Sequence, residues 1–155
     1  MNTTDTQTDI LFVDGGVCAP LGFKAGGIHC GIRRNKTKRD LSLIVADVPC
    51  AAAAVYTQNL VYGAPITVTK RSLADGYARA AICNSGIANT CNPDGLEKAE
   101  AMRRLTADAL GFGEDDIIVA STGVIGQPLD LTPIRQGLPA LVADLSADGS
   151  DAAAQ

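Results

Sequence analysis

Nowhere in its 155 residues does the chain carry the roughly 18 consecutive apolar residues that a membrane-spanning helix needs. Its opening stretch, "MNTTDTQTDILFVDGG", has Asp5 and Asp9 but no Lys or Arg, which fits neither a secretory signal nor a mitochondrial presequence. Together these absences predict a soluble, cytoplasmic protein. There is no C-x-x-C pair, and the five cysteines, Cys18, Cys30, Cys50, Cys83 and Cys91, are odd in number and irregularly spaced among small or apolar neighbours. That pattern predicts buried free thiols. The single histidine, His29, leaves too few grouped ligands for a zinc site, and its neighbour Cys30 would point to the opposite face of a strand. Neither G-x-G-x-x-G nor a Walker-type loop occurs, since "GGVCAPLGFK" misplaces its glycines and lacks the Ser or Thr after its lysine. Nucleotide-dependent chemistry is therefore unsupported. A formal net charge of −4 also argues against generic nucleic-acid binding.

What is present is a chain with 46% hydrophobic and 19% charged residues, long enough to bury one core. Residues 1–15 read as a flexible polar leader and 16–155 as one α/β domain. The first half suggests short strands: Gly26 to Ile32 and Leu41 to Asp47 around the hairpin loop "RRNKTKRD", then Ala53 to Asn59, Pro65 to Leu73 and Ala78 to Gly86. Ile66 and Val68 alternate with Thr67 and Thr69, the signature of a strand with one wet face. A helix follows from Asp94 to Gly111. Asp94 is a candidate N-cap with Glu97 three residues on, and Leu96, Ala99, Met102, Leu105 and Ala109 recur at helical spacing. "DDIIVASTG" reads as another strand. Thr132 then caps a short helix with Pro133 at its first position, Gly137 interrupting it. Ser150 reads as the cap of a final helix that the chain leaves within a turn or two, which predicts a portion of something longer. The order of elements predicts an α/β or α+β fold with a mixed β-sheet and flanking helices.

Three stretches have the composition of a site. "RRNKTKRD" gathers Arg33, Arg34, Lys36, Lys38 and Arg39 into an anion-binding patch or a solvated hairpin loop, with no interleaved aromatics. "CNSGIANTCNPDG" is either a polar ligand pocket at a strand's carboxyl end or an ordered connector. "ASTGVIGQP", from Ala120 to Pro128, holds no titratable side chain, so any chemistry there must use backbone N–H groups and hydroxyls. The Gly123 N–H and the Thr122 hydroxyl can converge on a carbonyl oxygen as it becomes negative, an arrangement that requires fixed dipoles and no titratable group. On spacing alone, a plain strand entering a turn is the favoured reading.

From about Gly16 to the last residue, the ordered motifs "GFKAGGIHCGIRRNKTKRDLSLIVAD", "NSGIANTCNPDG", "ASTGVIGQPLDLTPIRQGLPAL" and "LSADGSDAAAQ" resemble the N-terminal part of the ornithine acetyltransferase family, which includes bifunctional glutamate N-acetyltransferases of arginine biosynthesis. The resemblance implies an Ntn-hydrolase-like precursor that cuts itself before a threonine into α and β chains. The new terminal threonine carries acetyl from N-acetylornithine to glutamate as an ester. Bifunctional members also accept acetyl from acetyl-CoA, as a co-substrate; no cofactor is implied. The Thr-Gly of "STGVIG" then maps the oxyanion hole to Thr122 and Gly123, and the partner is the β chain in an α2β2 heterotetramer. The segment bearing the nucleophile lies beyond Gln155, so this chain alone should not turn over, and its apolar strands should present an adhesive surface. Two rivals differ in chemistry: an amidase or aminopeptidase of the same self-processing architecture, with water as acceptor, and a non-catalytic anion-binding module using the Arg33–Arg39 loop.

Overall fold

Four strands form one sheet in the order β1-β2-β3-β4: β1 (Phe23–Ile28), β2 (Leu41–Ala51), β3 (Tyr77–Asn84) and β4 (Ile117–Ser121). The computed structural model describes residues 10–155. The first nine residues of the expected leader lie outside them. β1 and β2 pair antiparallel across the basic loop, β3 runs antiparallel to β2, and β4 runs parallel to β3. That last pairing needs a crossover, and helix α2 (Gly95–Leu110) supplies it. The sheet is therefore mixed, as expected.

One face of the sheet is the core. Leu41, Leu43, Val45, Ile82, Ile117 and Val119 pack against Val68, Met102, Ile134, Leu138 and Leu141 from the helices α1 (Ala64–Ser72), α2 and α3 (Thr132–Ala143). Full burial of each such side chain stabilises the fold by about 1.5–3 kcal/mol. On the opposite face the short helix α4 (Ser150–Ala154) sits over β1, at Gly27, where an added Cβ would lie 2.0 Å from the Ala152 carbonyl oxygen. Beside it Ile44, Ala81 and Ile118 line an apolar hollow.

Two expected strands are not strands. Pro65 to Leu73 lies almost wholly in α1, whose buried residues Pro65, Val68, Thr69 and Ser72 recur at three and four, not two. The alternation of Ile66 and Val68 with threonines is thus coincidental with a helical stripe, and Pro65 opens the helix where its missing N–H costs nothing. Buried Thr69 also closes the outer edge of β4: its hydroxyl donates to the Val119 carbonyl at 2.9 Å and accepts from the Val119 N–H at 3.2 Å. Either group left buried and unpaired costs about 1–3 kcal/mol, so the hydroxyl does work no valine could replace. Residues 53–59 form no regular element, and Val55 is fully exposed.

Smaller departures have local causes. β2 continues past Pro49 to Ala51 because a register shift between Val45 and Cys50 absorbs the missing donor. β1 stops at Ile28, since residues 30–33 turn to meet Asp40. Asp94 does occupy the N-cap of α2 but makes no capping bond; its carboxylate pairs with Lys98 at 2.8 Å. Thr132 is the first residue of α3 and not its cap; Leu131 holds the N-cap position without a side-chain bond, Asp130 before it accepts the Thr132 N–H at 2.9 Å, and α3 runs unbroken through Gly137. A Cβ there would lie 2.7 Å from that of Cys30, so the glycine admits close packing against the β1–β2 loop. Gly149 is the N-cap of α4, while the Ser150 hydroxyl accepts the Val17 N–H at 3.2 Å. The cysteines are free, but four are half-buried and Cys91 is exposed.

Candidate functional site

The parallel pair β3–β4 ends at the matched residues Asn84 and Ser121, and beyond them the two backbones continue side by side. Thr122 N–H donates to the Asn84 carbonyl at 2.9 Å, Val124 N–H to Gly86 at 3.0 Å, and Ala88 N–H to Val124 at 2.9 Å. At the crossing, Gly86 has φ +106° and Gly123 φ +130°, conformations that side chains rarely adopt. A Cβ on Gly123 would lie 2.3 Å from the Gly86 carbonyl carbon, so the two peptide planes touch.

The polar side chains of "NSGIAN" hold this crossing in place. Asn84, fully buried, donates through Nδ2 to the Ile87 carbonyl at 2.8 Å, and Ser121 Oγ accepts the Asn89 N–H at 2.9 Å. Asn89 Nδ2 donates to the Gly95 carbonyl at the start of α2, also at 2.8 Å. These buried asparagines bond backbone, as an ordered connector requires, and Asn89 also borders an open hollow with Tyr62, Cys91 and Asn92.

Thr122 and Gly123 are both exposed. Among the described residues, none accepts from the Gly123 N–H or bonds the Thr122 hydroxyl. Thr122 borders a cavity of about 290 Å³ together with Arg33, Arg39, Asp40, Cys83 and Ser85. No thiolate is available there. Desolvation, and then the Asp40 charge, push the Cys30 thiol, whose amide bonds Asp40, up to about 12, and burial raises that of Cys83 on the cavity wall. Thr122 and Gly123 thus present unengaged donors, and the raised thiols of Cys30 and Cys83 stay protonated.

Sequence reasoning missed the residue that organises this region. Asp40 is 1% exposed, and its carboxylate accepts the N–H groups of Cys30 at 2.6 Å, Gly31 at 3.2 Å and Arg33 at 2.8 Å, with His29 Nδ1 at 3.1 Å. The turn so formed aims Arg33 across the sheet, where its guanidinium donates to Ser85 Oγ and its stem covers Gly86. Its only signal in the sequence was an aspartate closing a basic run. Burial by itself would raise the Asp40 pKa; the Arg33 and Cys30 amides, the Cys30 thiol and the His29 charge outweigh it and hold the carboxyl below its ordinary value. A depressed native pKa stabilises the fold above the unfolded-state value of about 3.9 and ceases to as pH falls through the native one. Asp40→Asn is therefore expected to destabilise the chain by about 1–3 kcal/mol at pH 7, with the gap to wild type closing below about pH 4. Urea unfolding at stepped pH measures it; a gap that stays constant to pH 2 would refute the role of the charge.

Residues 24–155 match the ArgJ family. The chain belongs to the ArgJ family. It is 47% identical over 151 residues to the arginine biosynthesis bifunctional protein ArgJ of Gloeobacter violaceus, covering 96% of this chain and 37% of that protein. It is 44% identical over 145 residues to the protein of that name from Thermosynechococcus vestitus, covering 92% of this chain and 34% of the relative. The chain thus spans about a third of the length of the curated ArgJ relatives it matches, in their N-terminal portion. Its fold is similar to the crystal structure of the Bacillus halodurans ArgJ protein, with TM-score 0.83 and 41% identity over 90% of this chain and 73% of that one. It is likewise similar to the Mycobacterium tuberculosis ornithine acetyltransferase complexed with ornithine, with TM-score 0.85 and 37% identity over 90% and 77% of the two chains. The expected fold class and family are both borne out. No described helix is long and apolar enough to cross a membrane.

Proposed function

We propose that this chain is the oxyanion-stabilising part of a glutamate N-acetyltransferase. The observation that carries the reading is the pair of unengaged donors, the Thr122 hydroxyl and Gly123 N–H, at a glycine crossing beside a cavity without a nucleophile of its own. A threonine hydroxyl from the remainder of the protein, the β chain, attacks the acetyl carbonyl carbon of N-acetylornithine. As the new C–O bond forms, the carbonyl electron pair moves to oxygen, and Thr122 and Gly123 hold that charge. Collapse breaks the C–N bond, ornithine leaves with a proton on its amine, and an acetyl-threonine ester remains. The amine of glutamate repeats the addition and takes the acetyl group. Acetyl-CoA is an alternative donor for the first half, the assembly is an α2β2 heterotetramer, and the setting is the cytoplasm.

Supplying the chain with the C-terminal remainder of the Gloeobacter violaceus protein and acetyl-labelled N-acetylornithine tests this directly. Label should appear on glutamate. Label released only as acetate would convert the reading to an amidase, and transfer by the 155-residue chain unaided would show that the nucleophile lies within it.

A further inference from the structure

A second concavity, of about 570 Å³, opens between the β1–β2 loop and the segment after β3. Arg33, Arg34 and Lys38 line one side, Gln127 lies across from them, and Gly86 and Ile87 contribute backbone and apolar surface. No Asp or Glu borders it, although the chain as a whole carries a net charge of −4. Lys24, Arg71, Lys98, Arg103 and Arg104 stand in ion pairs with a carboxylate counterion, whereas among the described residues Lys36, Arg39, Lys70, Arg79 and Arg135 lack one. Among the described residues, Arg33, Arg34 and Lys38 have none. Arg33 Nε is also buried with no acceptor, a donor that a folded protein seldom leaves unmet.

Three cations held together repel one another, so their grouping without carboxylates raises the energy of the empty cleft. An anion bound there removes that repulsion. Guanidinium groups suit oxyanions bidentately, and a volume of this size falls in the range of small-molecule sites, well beyond a lone carboxylate. We propose that this cleft binds a phosphate-bearing anion carrying at least two negative charges. It is separate from the acyl-transfer reading and stands without it. Arg33 borders both concavities and reaches Ser85, so an occupant would also brace Gly86, on which Gly123 rests.

Titration calorimetry of the full 155-residue chain with inorganic pyrophosphate tests this, with ADP, adenosine and citrate at matched ionic strength beside it. Pyrophosphate and ADP should both bind and adenosine should not. Tighter binding of ADP assigns the phosphate to a nucleotide-type ligand, and equal binding assigns it to free polyphosphate. The side chains of Arg34 and Lys38 are exposed and make no bonds to other described residues, so the double variant R34Q/K38Q should melt as the wild type does. It should bind pyrophosphate at least about tenfold more weakly, the loss of charge-assisted contacts. Citrate binding as tightly as pyrophosphate, or a double variant that melts normally and binds pyrophosphate as wild type does, overturns the proposal.

Discussion

Thr122→Ala, in the chain complemented by the remainder of its family's sequence, is expected to lower acetyl transfer about 10²–10³-fold while leaving the melting temperature of the chain nearly unchanged. The two halves of that result come from different observations. Thr122 is exposed and its hydroxyl bonds no described residue, so the fold has no use for it that alanine would fail to meet. Its backbone N–H, which does matter to the crossing through Asn84, survives the substitution. A hydroxyl that holds charge only as the carbonyl oxygen becomes negative contributes to kcat and little to ground-state binding, so the KM for N-acetylornithine should move far less than kcat. Thr122→Ser, which keeps the oxygen, should recover most of the rate. Steady-state kinetics on the three proteins decides it. Equal kcat in wild type and the alanine variant would remove Thr122 from the chemistry.

Gly123→Ala is expected to act on stability and activity together. The new Cβ would have to share space with the Gly86 carbonyl, 2.3 Å from its carbon and 2.4 Å from its oxygen, and with the Ile87 nitrogen at 2.7 Å. None of these is the movable end of a side chain. The φ of +130° adds backbone strain of its own, so the combined destabilisation should reach roughly 3 kcal/mol or more. To relieve it the two segments must separate, which displaces the Gly123 N–H from any oxygen it would hold, and transfer should fall further than in Thr122→Ala. Gly126→Ala is the control in the same loop. There φ is +80°, yet nothing lies within 4 Å of the added carbon, so only the conformational cost of about 1–2 kcal/mol applies. Thermal unfolding of the two variants side by side measures the difference. Similar losses would mean that contact with Gly86 is not what requires glycine at 123.

The exposed apolar side chains bear on any such measurement. Leu60, Val61, Val124 and Ile125 are more than half exposed, and the hollow over Ile44 and Ile118 is open, in line with the adhesive surface expected from the sequence. Complementation by the C-terminal part of an ArgJ relative is expected to reduce aggregation, as light scattering would measure, by covering such surfaces.

How far the fold could be read in the residues varied with how local each decision was. α2 was legible because its capping position, its apolar repeat and Gly111 all lie within one continuous stretch. β2, β3 and β4 were legible because uninterrupted apolar runs bounded by turn residues have few other fates. α1 was not: a threonine that is polar in the sequence is buried in the structure, satisfied by Val119 fifty positions away, and no window around Thr69 contains that partner. Asp40 and Arg33 were opaque for the same reason, since what they hold lies across the sheet.

By itself the sequence determined the class of fold, the family and the chemical character of "ASTGVIG", because periodicity, turn chemistry and the absence of titratable groups are properties of neighbours along the chain. Only the tertiary structure decided that Gly86 and Gly123 meet, that buried asparagines fasten their crossing, and that three cations border one cleft without a counterion. Contacts between distant residues depend on where strands lie in the sheet, and hydrophobic burial, which sets that placement, depends on total buried area and not on local order.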